Sequence, residues 1–469
     1  MENTFRRTAA LASALICMTS VHAQADLTEI SAAEAARQIR AGKLKSEDLV
    51  KALADAIEKK KDLNAFIGFD REQALKAARA ADAQAAKKEF KGPLHGVPLV
   101  VKDNIHVRGY ANTAGTPALK DFRPKANAPV VERLVKAGAI VLGKTNMHEL
   151  AFGITTNNAE FGPARNAYDP KRIAGGSSGG TGNAIAARLA AAGLGSDTGG
   201  SVRIPAALCG LAGFKPTARR VPLEGAFPLS FTLDSIGPLA NSIDCCAAYD
   251  AVLSGAPAAL VELPLKGLRL LLPRSSMLSD LDGSVEQTFG AAIARLRKAG
   301  AIVEERPAPV FDRRSEYFAR GGFAAAEAYH VHRPHFARLG ECDPRVSVRI
   351  LLGKDVPAAD YVALREQRAA AVREFEALAA PFDAVVMPTV ACVAPDIAGA
   401  GASDEEYSRW NLRILRNPAF INFLDGCAAT LPCHAPGSAP VGFMVCGPAM
   451  SDRRILAVAA AVERALSRD

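Results

Sequence analysis

Aromatic residues are scarce in this chain, at 6% of 469 positions, and no basic run exceeds Lys59-Lys60-Lys61. The formal charge of +8, from 57 basic and 49 acidic residues, is spread along the whole length. That distribution lacks the clustered footprint of a nucleic-acid binder. Nine cysteines in so long a chain, with no C-x-x-C pair, exclude a disulfide scaffold. Cys245 and Cys246 are adjacent and badly placed to bridge each other, whereas pairing of Cys427 with Cys433 stays open. No internal repeat and no Pro/Ser linker divides the chain. What is present is apolar surface: 49% hydrophobic against 23% charged residues excludes a disordered or collagen-like chain and supplies packed cores.

The first residues read as a targeting segment. Arg6 and Arg7 precede a weakly apolar stretch from about Thr8 to Ser20, then Val21-His22-Ala23-Gln24-Ala25. Basic, apolar and small-residue regions in that order form a secretory signal peptide. The expectation is a signal peptide over 1–23, cut after Ala23 with Ala25 as the alternative, and a periplasmic or secreted mature chain over 24–469. The stretch is shorter than the about 20 apolar residues of a membrane span. Ala14 stands where a lipoprotein signal ending at Cys17 would carry leucine.

Residues 28–90 read as helical. Ser31 with Glu34 forms a capping box, Ser46 with Glu47-Asp48 repeats the start signal, and an Ala-rich helix spans about Gln73 to Lys88. Turn residues Pro93 to Pro98 then introduce a buried strand, Leu99-Val100-Val101. A helix over Pro129 to Ala137 stops near Gly138, and a strand covers Ala139 to Leu142. The Gly/Ser tract 175–182 leads into an Ala-rich helix ending near Gly193, 275–380 is helix-rich and polar, and strand returns at Asp383 to Pro388. Alternating strands and helices predict α/β architecture with a substantially parallel sheet, as one domain with a helical cap.

Three motifs mislead. Gly138 to Thr145 fits the phosphate-loop template G-x-x-x-x-G-K-[ST], but its intervening residues are apolar and read as the strand itself. Gly175-Gly176-Ser177-Ser178-Gly179 fits the G-x-S-x-G elbow, yet polar, irregular residues 166–172 precede it where an apolar strand belongs. With His434 as the late histidine, a serine esterase built on Ser177 stands as a rival. His330, His332 and His335 are spaced for zinc, but Pro334 interrupts them and no fourth ligand is evident. A solvated helix end explains them, and no metal is expected.

Three features remain. Lys102 leaves an apolar strand, which predicts a buried lysine at a strand end. Gly175 to Gly180 frames Ser177 and Ser178 with glycines, and Asp197-Thr198-Gly199-Gly200-Ser201 places another serine after two more. Glycines let the backbone approach a ligand closely and aim successive N–H groups at one point.

Taken with Gly96 to Asn104, Gly143 to Met147, Asp197 to Pro205, Gly213 to Thr217 and Asp234 to Pro238, these runs resemble the amidase signature family across most of the mature chain. The resemblance implies an α/β/α sandwich with a large mixed sheet, a signature core over about 92–240 and a helical variable region over about 275–380. It implies an amidase that converts a carboxylic amide to acid and ammonia or amine. Ser201 is then the nucleophile, Ser177 the bridging serine with a cis peptide bond, and Lys102 the base. Backbone N–H groups of Thr198, Gly199, Gly200 and Ser201 would hold the oxyanion. Asp197 and Arg203 would fix the loop, and no cofactor or metal would be needed. The segment Thr145 to Asn158 is similar to members that hydrolyse indoleacetamide and mandelamide, so Leu150, Ala151 and Phe152 are expected to bind an aryl group. The implied partner is a small-molecule amide, with no nucleic acid, no stable membrane insertion and a homodimer left open. An amidotransferase A-type subunit is the second reading, against which His148 stands where that subgroup carries an acidic residue.

Overall fold

The structure is a computed structural model that describes residues 26–257 and 259–467. The proposed signal segment lies outside the described residues. The strands are β1 (Phe66–Phe69), β2 (Pro98–Lys102), β3 (Ile140–Thr145), β4 (Asn157–Asn158), β5 (Gly162–Pro163), β6 (Ala192–Asp197) and β7 (Ala212–Lys215). They continue with β8 (Ser235–Ala240), β9 (Arg269–Arg274), β10 (Ile302–Pro307), β11 (Ala384–Pro388), β12 (Cys427–Pro432) and β13 (Gly442–Gly447). Eleven of them form one sheet in the order β1-β3-β2-β6-β8-β7-β12-β13-β11-β9-β10. The sheet is mixed: β3, β2 and β6 run parallel, β11, β9 and β10 run parallel, and the strands between are antiparallel.

Successive residues of a strand face opposite sides of the sheet. Leu270 and Leu272 of β9, with Val386 of β11 and Val445 of β13, join one hydrophobic cluster, while Leu271, Val385 and Met444 join another. Helices Gly283–Lys298 and Asp452–Leu466 supply the first cluster, and Ala358–Ala379 and Asp404–Phe423 the second. The sheet is therefore covered on both faces, the α/β/α layering that the resemblance implied. No helix among the described residues is long and apolar enough to cross a membrane.

Several local expectations hold and others shift. The Ser31 hydroxyl accepts from the Glu34 N–H at 3.2 Å, as a capping box requires. Ser46 does not cap its helix; the Asp82 carboxylate accepts from the N–H groups of Ser46 (2.7 Å) and Glu47 (2.9 Å) across the helix pair. The helix after the Gly/Ser tract spans Gly179–Ala186 and ends well before Gly193, with Arg188 at φ 61°. Residues 192–197 form strand β6 instead. A Cβ on Gly193 would lie 2.6 Å from the Thr181 methyl and 2.8 Å from Val100, so the helix packs onto β6 only where the strand is bare. The polar region 275–380 also contains β10, an edge strand whose Glu304 and Glu305 keep it from pairing further.

Strand β3 runs through Lys144, which confirms that the phosphate-loop template is strand. The Lys144 ammonium is buried, lies 3.2 Å from Asp103 Oδ1, and donates to Ile105 O at 2.6 Å and Asn112 Oδ1 at 2.9 Å. It braces the loop that follows β2. The cysteines of the described residues are all free. Cys427 opens β12 and Cys433 follows its end, so an extended chain holds them roughly 20 Å apart, beyond disulfide reach.

Candidate active site

Ligands of open α/β sheets bind beyond the carboxyl ends of parallel strands. Parallel neighbours β2 and β6, with Val100 opposite Gly193 and Val101 opposite Leu194, end in Lys102 and Asp197. Lys102 is wholly buried, as an apolar strand ending in lysine predicts. Its Nζ donates to Ser177 Oγ at 2.7 Å and to Ser196 Oγ at 2.8 Å. Asn104 Nδ2 also donates to Ser196 Oγ, at 3.1 Å. Burial pushes the ammonium down to about 7, against the opposing pull of the Asp197 and Asp234 carboxylates. A lysine so placed exchanges its proton near neutrality.

Ser177 follows a cis Gly176–Ser177 peptide bond. Its carbonyl accepts from the His148 N–H at 3.0 Å, and the next N–H, of Ser178, donates to Ser201 O at 3.2 Å. The glycine frame is a packing requirement: a Cβ on Gly176 or Gly179 would fall 2.7 Å or 2.4 Å from Thr156 Oγ1.

The Ser201 loop hangs from one carboxylate. Asp197 Oδ1 accepts from the Gly200 N–H at 2.8 Å, and Oδ2 from the Val202 N–H at 3.1 Å. Arg203 Nη2 approaches Oδ1 at 3.0 Å and Arg203 Nε donates to Oδ2 at 3.1 Å, while Asn422 bonds both residues. Burial alone would raise the Asp197 carboxyl, but Arg203, with Lys215 and Asn422, holds it well below the usual carboxylate range. One oxyanion assignment needs correction: the Gly200 N–H is already taken by Asp197 and is not free for a ligand. Thr198, Gly199 and Ser201 line the cavity, and no protein acceptor for the Gly199 or Ser201 N–H is present among the described residues. The Thr198 hydroxyl donates to Asp234 Oδ1 at 2.5 Å, a second anchor, and burial raises that carboxyl to about 6.

The cavity in front of Ser201 measures about 360 Å³, within the ~300–1,000 Å³ of small-molecule sites. Ala151 and Phe152 line it, with Leu229, Leu233 and Leu415. Leu150 does not: it lines a smaller neighbouring cavity with Thr116, Phe227 and Leu339, so the expected substrate contact is corrected for that residue. The short helix that carries it has Leu150 at φ 51° and Ala151 at φ 59°, which separates the directions of adjacent side chains. His148 is buried and neutral, its ring pushed down to about 3 by desolvation, then by Arg349 and Lys102, and it shares a 2.9 Å hydrogen bond with the Tyr407 hydroxyl. His434 accepts from the Val441 N–H at 3.3 Å, far along the chain from the Lys102–Ser177 pair, and makes no bond to Ser177. Among the described residues no group of three His, Cys, Asp or Glu side chains could hold a metal ion: His332 and His335 both pack against Phe227, whereas His330 packs against Phe231. Ser196, Asn104 and Asp234 complete the site; Asn104 and Asp234 lie inside motifs evident in the sequence, whereas nothing local marks Ser196.

A buried lysine hydrogen-bonded to Ser177 and a loop-held Ser201 on the cavity wall stand at the carboxyl ends of β2 and β6. Residues 48–456 match the Amidase family. Mandelamide hydrolase of Pseudomonas putida is 34% identical, over 94% of this chain and 92% of that protein. The A-type subunit of glutamyl-tRNA(Gln) amidotransferase from Lachnospira eligens is 32% identical, over 94% and 99%. A crystal structure described as an amidase superposes with a TM-score of 0.84 at 32% identity, covering 93% of this chain and 99% of that one. The chain belongs to the amidase signature family, and it is a hydrolase of amide C–N bonds.

Proposed function

We propose that Ser201 is the acylated nucleophile, Ser177 the proton relay and Lys102 the base, acting on a small amide with an apolar or aryl acyl group. The observation that carries this is the 2.7 Å Lys102–Ser177 hydrogen bond at a lysine with no solvent contact. A serine hydroxyl needs a base before it attacks. Neutral Lys102 takes the Ser177 proton while Ser177 takes that of Ser201, whose Oγ bonds to the carbonyl carbon. The carbonyl oxygen becomes an oxyanion facing the N–H groups of Thr198, Gly199 and Ser201, donors worth about 2.7–4 kcal/mol each. Collapse breaks the C–N bond, and the proton returns through Ser177 to the leaving nitrogen as ammonia or amine. Water, deprotonated by the same pair, cleaves the acyl-enzyme to acid and free Ser201.

The test is kcat/KM against pH on an arylacetamide, with released ammonia as readout. Lys102 must be uncharged in the free enzyme, so the rate rises about tenfold per pH unit below a midpoint near 7 and levels above it. A rate undiminished at pH 5 refutes the lysine base.

The similarity to one component of an amidotransferase favours a second reading, in which this chain works within a larger assembly. The two separate cleanly: ammonia release by the purified chain alone excludes the assembly requirement. We also propose export of the mature chain, on the strength of the Arg6-Arg7 and Val21-His22-Ala23 pattern. Fractionation of a C-terminally tagged full-length chain should then recover it outside the cytoplasm, shortened by about 23 residues; an uncut cytoplasmic product rules export out.

A further inference from the structure

The cavity before Ser201 is mostly apolar, with the neutral polar Thr198, Ser201, Ser408 and Asn411; its only charged lining residues are Arg314 and Arg349, and no Asp or Glu lines it. Their neighbours in the same segments are paired away from it: Arg313 with Glu374, Arg345 with Asp404, Arg413 with Asp282. Among the described residues, Arg314 and Arg349 have no ion pair. Arg314 has one long hydrogen bond, Nη1 to Arg416 O at 3.5 Å, and stacks 5.0 Å over the Phe318 ring. Arg349 donates to Phe152 O at 2.7 Å and lies over the Tyr407 ring at 4.8 Å and the Phe152 ring at 5.6 Å, with no carboxylate partner. Burial, then the like charge of Arg416, pushes Arg314 down. Cations withdrawn from water are ordinarily paired, and a guanidinium fork matches a carboxylate in two parallel hydrogen bonds.

We propose that the substrate is an amide acid: an apolar or aryl body carrying the scissile amide at one end and a carboxylate at the other, received by Arg314 and Arg349. The proposal rests on Ser201 being the site of amide attack. It narrows that reading to an anionic substrate, with the apolar wall of Phe152, Leu229 and Leu415 spanning the two polar ends.

The experiment compares 4-(carbamoylmethyl)benzoate with 4-nitrophenylacetamide, which has the same outline but no charge. In the active chain the carboxylate compound should show a kcat/KM about tenfold or more higher, falling as salt is added. Arg314→Gln and Arg349→Gln should raise KM for the carboxylate compound more than for the nitro compound, so that the ratio of their kcat/KM values falls toward one. Equal kcat/KM for the two amides, or variants that slow both alike, overturns the subsite. Calorimetric binding to Ser201→Ala separates this outcome from failure of the chemistry. Tighter binding of the carboxylate compound there supports the subsite even if neither amide is cleaved, and equal affinities refute it even if both are. Should either arginine variant fail to fold, that binding comparison in Ser201→Ala still decides.

Discussion

Ser201→Ala is expected to lower kcat by about 10⁴–10⁶ while leaving substrate affinity within a few-fold, a loss of the size seen when other serine hydrolases lose their nucleophile. The loop has no reason to move. Its backbone is held by Asp197, Arg203 and Asn422, none of which bonds the Ser201 side chain. Ser177→Ala should approach the same loss, because without its hydroxyl the Lys102 amine has no route to Ser201. The double variant should be no slower than the slower single one, since groups acting as one unit are not additive. His434→Ala is the control: its ring serves the Val441 N–H, and turnover should remain near that of the unaltered chain. Steady-state rates and isothermal titration measure all four. Wild-type turnover in Ser201→Ala removes the acyl-enzyme mechanism, and loss of turnover in His434→Ala revives the esterase built on Ser177.

Much of this site was legible because its parts are local. An apolar strand ending in lysine is a short-range pattern, and so is a pair of serines framed by glycines; each keeps its meaning wherever the chain takes it. Strand β6 was hidden for the opposite reason. Ala-Gly-Leu-Gly-Ser-Asp has poor strand propensity, and the need for bare positions at Gly193 and Gly195 arises only when Thr181, Val100 and Ser178 press against them. The Gly200 N–H looked available in sequence because its acceptor, three residues earlier, comes within reach only when the loop folds back. Leu150 departs from the expectation because two left-handed residues turn consecutive side chains of its segment apart, which the sequence does not display. Arg314 and Arg349 carried no signal at all. They stand among many arginines in a polar helical region, and only the tertiary fold shows that these two face the cavity without a carboxylate partner.

Lys102→Met should abolish turnover and, unusually for loss of a buried residue, make the protein more stable at acid pH. The folded chain holds this amine near 7, while an unfolded chain leaves it near 10.5. Between those values the unfolded state binds one more proton than the folded state, so this group adds about 1.36 kcal/mol of stability per pH unit as pH rises. Below 7 both states are protonated, and the folded chain bears the full penalty of a buried ammonium, roughly 3–5 kcal/mol. Methionine carries no charge at any pH and escapes that penalty. It also deprives the Ser177 and Ser196 hydroxyls of a donor, a loss of about 1–3 kcal/mol that does not depend on pH. The variant should therefore unfold at higher urea than the parent at pH 6, and the advantage should shrink with every unit above 7 and reverse by about pH 9. Denaturant midpoints measured at pH 6, 7.5 and 9 follow the difference. A gap that stays constant across that range means the amine keeps an ordinary proton affinity, and such an amine would be charged at neutral pH and unable to activate Ser201.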